Sequence, residues 1–70
     1  MDKNVEKVEG VVEEALPSLL FRVKIGEGQE MLAHLGGKLK LNHIRVIPGD
    51  RVIIERTPYD TTRGRIIRRL

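Results

Sequence analysis

Nine residues of this 70-residue chain have the types and spacing to hold a polyanion. Lys38, Lys40, Asn42, His43 and Arg45 fall in one short stretch, and Arg63, Arg65, Arg68 and Arg69 fall at the end. Basic side chains neutralise phosphates and release counterions, and arginine also clamps a phosphate through two donors or stacks on an exposed base. His43 has two open readings, an ordinary packed or surface histidine, or one that stacks on a base or contacts phosphate. Phe21 and Tyr59 are the only members of the Phe, Trp and Tyr class, so the aromatic platform of sequence-tolerant single-strand binders is missing. Recognition by this set rests on shape and phosphate.

The residue types needed for catalysis do not assemble. Ser18 is the only serine and sits beside Pro17 in a predicted turn, which leaves no Ser-His-acid triad. The chain has no cysteine, which removes disulfides, thiolate metal sites and cysteine nucleophiles together and fits a reducing compartment. His34 and His43 alone cannot close a structural zinc site. Glu13 and Glu14 are neighbours in a predicted strand, point to opposite faces and cannot act together as a carboxylate pair; they are read as solvated edge charges. His34 alternates with core positions and is read as a packed or surface histidine.

Two glycine motifs also fail as phosphate loops. Gly36-Gly37-Lys38 is similar to the end of such a loop, but Leu32 stands where a glycine is required and Leu39 where a Ser or Thr is required. Gly26-x-Gly28 has Met31 in place of its third glycine and leads into a strand. Both are read as turns. The expectation is a protein that is not an enzyme and needs no cofactor.

The elements that must carry the basic residues are strands. In Leu19 to Ile25, one face holds Leu19, Phe21, Val23 and Ile25 and the other holds Leu20, Arg22 and Lys24, the alternation of a half-buried strand. Gly26-Glu27-Gly28-Gln29 turns the chain into Glu30 to Leu35, completing a hairpin. Upstream, Val5 to Leu16 is a long strand with Gly10 at a bend or bulge, ended by Pro17. Downstream, the turn Pro48-Gly49-Asp50 precedes a strand from Arg51 to Arg56. Thr57-Pro58-Tyr59-Asp60 then leads to a fifth strand, Arg63 to Arg68, with arginines on both faces and a terminal position that invites fraying. Between the third and fourth strands, Gly36 to Arg45 is a basic loop with one helical turn, since Leu41 and Ile44 lie three apart. Five short strands with the helical turn in that place give an all-β fold, a five-stranded oligonucleotide/oligosaccharide-binding (OB-fold) barrel. Residues 1–70 read as one such domain, with frayed ends.

Charge is separated along the chain. Residues 1–30 hold four bases against seven acids, and residues 31–70 hold nine bases against three acids. This asymmetry points to one basic surface that attracts a polyanion, nucleic acid foremost. No run approaches the roughly 20 apolar residues that span a bilayer, and nothing at the N-terminus reads as a leader, so a soluble, cytoplasmic monomer that avoids membranes is expected.

Several segments in order carry a family resemblance: EGVVEEALP, LFRVKIGEGQEMLAHLGGK, NHIRVIPGDRVIIE and TPYDTTRGRIIRR. Together they resemble bacterial-type translation initiation factor 1 over nearly the whole chain. The most distinctive pieces are Ala33-His34 with Gly37-Lys38, Ile44-Arg45, Pro48 to Val52, and Pro58-Tyr59-Asp60 followed by Arg63 to Ile66. The resemblance implies a five-stranded barrel that binds the aminoacyl-tRNA (A) site of the small ribosomal subunit, beside rRNA of the decoding region and a neighbouring ribosomal protein. It also implies cooperation with initiation factors two and three, and exclusion of elongator tRNA during start-codon selection. On this resemblance Lys38, Arg45, Arg63 and Arg65 occupy the positions of RNA-contacting bases, and Lys40 stands where many members have arginine. Arg68 and Arg69 extend the basic end. The chain departs from the family pattern at His43, where tyrosine is usual, at Leu41, where a base is frequent, and at Gly36, where serine is frequent.

Two rivals to that reading follow from the residues. A chaperone that coats single-stranded RNA, as cold-shock proteins do, is disfavoured by the missing aromatics. A protein-interaction barrel docking through a strand edge would carry its basic patch incidentally, and its binding would respond less to salt than RNA binding does.

Overall fold

An apolar residue at every second position gives a strand one face to bury, and this chain repeats the pattern five times. The computed structural model describes residues 5–41 and 45–70, the side chains of residues 38, 40 and 61 excepted. Its strands are β1 (Glu6–Leu16), β2 (Leu20–Ile25), β3 (Gln29–Leu35), β4 (Arg51–Thr57) and β5 (Asp60–Arg69). A short helix, α1 (Gly37–Leu41), lies between β3 and β4, and a 3-10 turn, Pro17–Leu19, joins β1 to β2. The strands close in the order β1-β2-β3-β5-β4, with β4 returning to β1. Every pairing is antiparallel except that of β3 with β5. The result is the all-β, five-stranded OB-fold barrel expected, with a short helix between β3 and β4 as expected; Leu41 at its end is exposed, and Ile44, its expected partner on one face, lies outside the described residues.

Period-two alternation supplies the core. Val12, Phe21, Val23, Met31, Ala33, Leu35, Val52, Ile54 and Ile66 all point inward and are buried. Leu39 of α1 and Val46 join the same cluster, so the helical segment is held by an apolar anchor rather than by its own length. The amide of Gly36 donates to the carbonyl of Ile66 at 2.8 Å, tying the start of α1 to β5.

Three local expectations change. Alternation alone places Leu19 on the buried face of the second strand, but it sits in the 3-10 turn at φ 57° and is half exposed. Pro17 restricts the backbone there, and Ser18 and Leu19 turn the chain through positive φ, so the strand begins only at Leu20. Gly10, expected at a bend or bulge, pairs in regular register with Val52, and the irregularity falls between Val12 and Glu14. The role of Gly10 is close approach: a Cβ there would lie 2.6 Å from Val23 Cγ1 and 2.9 Å from the Lys24 carbonyl oxygen. The fifth strand runs from Asp60 to Arg69, longer than expected, and bonds to β3 on one side and β4 on the other.

Candidate functional site

The outward faces of the strands decide which charges meet. β1 contributes acids and β4 contributes bases, and the two strands are neighbours. Glu9 accepts a hydrogen bond from Arg51 Nε at 2.9 Å, and Glu6 lies 3.5 Å from the mostly buried Arg56. Acids of the first half of the chain thus neutralise two arginines of the second half. The basic surplus is left on β5 and on the segment between β3 and β4.

On β5, Gly64 and Ile66 point inward, which turns Arg63 and Arg65 outward together. Strict alternation would next aim Arg68 into the barrel. A register irregularity opposite Ile53 and Ile54 prevents this: Ile66 pairs with inward Ile54, whereas Arg68 pairs with Ile53 and shares its outward face. The expected split of the arginines over both faces is corrected to this extent. Arg69 is exposed, and its guanidinium donates to the carbonyl oxygen of Arg45 at 2.7 Å, which brings the loop and the tail of β5 together.

The nine predicted residues therefore fall as follows. Arg63, Arg65 and Arg68 lie on the outer face of β5, and Arg45 and Arg69 meet beside it. Lys38 and Lys40 lie on α1, which packs on β5; their side chains are outside the described set. Asn42 and His43 lie outside the described residues.

Cross-strand register adds neighbours that spacing along the sequence could not show. Lys7 of β1, Glu55 of β4, Arg65 of β5 and His34 of β3 are successive partners, so they form one outward row. Within it Arg65 pairs with Glu55 at 2.6 Å, and the aliphatic part of Arg65 runs close to Gly36. His34 is exposed, in line with the surface alternative for it. Phe21 is buried, and Tyr59, in the β4–β5 turn, is exposed, so the described strands present no aromatic platform.

The remaining acids serve elsewhere. Asp50 accepts a hydrogen bond from the Ile47 amide at 3.0 Å and so shapes the turn into β4. Glu14 pairs with Arg22 at 2.8 Å. Glu13, displaced by the β1 irregularity, shares a hydrogen bond with Glu30 that holds its carboxyl above the ordinary 4.5. Glu13 and Glu14 are exposed beyond the end of the β1–β4 pairing at Val11, in line with the solvated charges expected. Among the described residues there is no group of three or more His, Cys, Asp or Glu side chains placed to hold a metal. No helix among them is long and apolar enough to cross a membrane.

Asp60 gives this region a pH signature. The Thr62 hydroxyl donates to its Oδ1 at 2.7 Å and the Thr62 amide at 3.0 Å, and these bonds hold its carboxyl below the ordinary 3.8. Because the folded value lies below the unfolded one, the contribution to stability is complete above the unfolded value and is lost as pH falls through the folded one. A carboxyl NMR titration is expected to show Asp60 titrating below 3.8, and Thr62→Val to return it part of the way. An Asp60 midpoint unmoved by the substitution would contradict that assignment.

Comparison with known proteins agrees with this geometry. The solution structure of translation initiation factor 1 from the Wolbachia endosymbiont strain TRS of Brugia malayi matches with a TM-score of 0.80 and 46% identity, covering 97% of this chain and 80% of that one. The crystal structure of YjeQ from Thermotoga maritima matches with a TM-score of 0.73 and 32% identity; the match covers 93% of this chain but only 23% of that larger one. A family model described as translation initiation factor 1A / IF-1 matches residues 2–70. With a barrel of the same build and a family match across almost its full length, the chain belongs to the translation initiation factor 1A / IF-1 family, whose role is in translation initiation.

Proposed function

We propose that the protein binds the A site of the small ribosomal subunit through rRNA of the decoding region and a neighbouring ribosomal protein. There it blocks premature tRNA entry and assists initiation factors two and three. The observation that carries this reading is the face built on β5, where Arg63, Arg65 and Arg68 point outward beside Arg45, Arg69 and the lysine-bearing α1. A rigid barrel with such a face can hold folded RNA by phosphate and shape. Lys38, Lys40, Asn42 and His43 complete the contact surface in this reading.

The action is steric occupancy and requires no bond to be made or broken, so neither catalysis nor a cofactor enters it. The protein works as a cytoplasmic monomer and as one RNA-binding domain. Assistance to other factors requires that each bind better when the other is present, an effect reciprocal in equilibrium affinity.

Binding of labelled protein to purified small subunits, with chemical footprinting of the rRNA across a salt series, tests this. Protection confined to the decoding region is expected, weakening several-fold with Arg45→Ala and steeply with added salt. Scattered protection, or equal affinity for any single-stranded RNA, would replace the reading with that of an RNA chaperone. Absence of RNA binding at low salt would leave a protein-interaction barrel.

A further inference from the structure

The part of the chain after residue 30 holds only three acids, and two of them bond to the local backbone, Asp50 shaping the turn into β4 and Asp60 the start of β5. Among the described residues, Glu55 bonds instead to a side chain, that of Arg65. Its carboxylate stands in the outward row between Lys7 and Arg65, beside the arginine-bearing face of β5. It is also the more sheltered partner, its side chain 23% exposed against 52% for Arg65. The pair forms the ridge between two grooves, one reaching His34 and Arg63 and the other reaching Gly36, Gly37 and Ile67. Stability does not account for an acid here, since an exposed pair of this kind contributes only about 0 to 1 kcal/mol.

We propose that Glu55 is a specificity-determining residue of the RNA-binding face, an inference that rests on the functional reading above. A phosphate approaching Arg65 also approaches the Glu55 carboxylate, so the attraction at this point of the face is largely cancelled. An RNA that offers nothing but negative charge gains little from Arg65. A folded RNA that seats itself in the grooves and engages Arg63 and Arg45 as well reaches the side of the guanidinium turned away from Glu55. It then finds that fork already oriented, without the ordering cost of a free arginine. The carboxylate thus lowers affinity for arbitrary single strands more than for the fitting surface.

The test compares the full chain and its variants in binding to purified small ribosomal subunits and to a short oligouridine. Glu55→Gln is expected to tighten oligouridine binding about fivefold at low salt and to steepen its log–log salt dependence by about one. Subunit affinity should change much less, so the ratio of the two affinities falls. Glu55→Asp, which keeps the charge, is expected to retain the wild-type salt dependence. In an Arg65→Gln background, Glu55→Gln is expected to lose most of its effect, because the acid acts through that arginine. These two variants also carry the test if Glu55→Gln alone lowers the melting temperature. A Glu55→Gln protein with the wild-type ratio and salt slope would overturn the inference alone. A wild-type protein that binds both RNAs equally would overturn the functional reading, and the inference with it.

Discussion

Replacing Gly64 with valine is expected to remove about 3 kcal/mol of stability, the upper range for forcing bulk into a packed core. In a chain of 70 residues this is a large part of the whole, because small domains sit at the low end of the usual ~5–15 kcal/mol. Gly64 faces inward on β5 opposite Ala33 of β3, where two strands pair in parallel and small residues let them close the barrel. A single Cβ at this position would stand 2.5 Å from Ile54 Cγ2, 2.6 Å from Met31 Cε and 2.9 Å from the Glu55 carbonyl oxygen. The methionine end can move aside, but the carbonyl belongs to the backbone of β4 and moves only with the strand. Gly37→Ala is the matched control, since none of the described residues lies within 4 Å of its added Cβ. It should be neutral or slightly stabilising through lower chain entropy in the unfolded state. Urea unfolding followed by circular dichroism reads both. A Gly64→Val protein with the midpoint of the wild type would show that β3, β4 and β5 do not meet as tightly as described.

The second large effect concerns binding. The double substitution Arg63→Ala/Arg65→Ala is expected to weaken binding to small ribosomal subunits by about ten- to a hundredfold at moderate salt. It should also flatten the log–log salt dependence by about 1.5, as loss of two phosphate contacts requires. Both side chains are exposed, so the melting temperature should barely change. Lys24→Ala removes an equally exposed cation from the outer face of β2, where Glu13 and Glu30 are its neighbours, and should leave subunit binding as it was. Equal losses in the double variant and in Lys24→Ala would mean that net charge, rather than the β5 face, governs the interaction.

Much of the architecture could be read directly from residue order. Alternation from Phe21 to Ile25 and from Met31 to Leu35 reports burial at every second position, and Gly26 and Gly28 take the positive φ that their hairpin turn demands. Leu19 misled because the same alternation continues through it, while the backbone preference of the Pro17–Leu19 turn, a separate determinant, ends the pattern one residue later. Gly10 misled differently. A glycine inside a strand signals a bend, a bulge or a close neighbour, and only the position of Val23 on the adjacent strand β2 reveals the last of these.

For the candidate site, residue order alone specified which residue types were available: a surplus of bases after residue 30, a loop rich in lysine and a run of arginines at the end. The closed barrel sets where that charge is felt. The closure of β1 on β4 places Glu6 and Glu9 beside Arg56 and Arg51 and removes those arginines from the surplus. The irregularity in β5 keeps Arg68 on the outer face, and the Glu55–Arg65 pair sets an acid among the bases. Each of these depends on register between strands far apart in sequence. Charge interactions fall off with distance in space, and distance along the chain carries no record of which strands become neighbours.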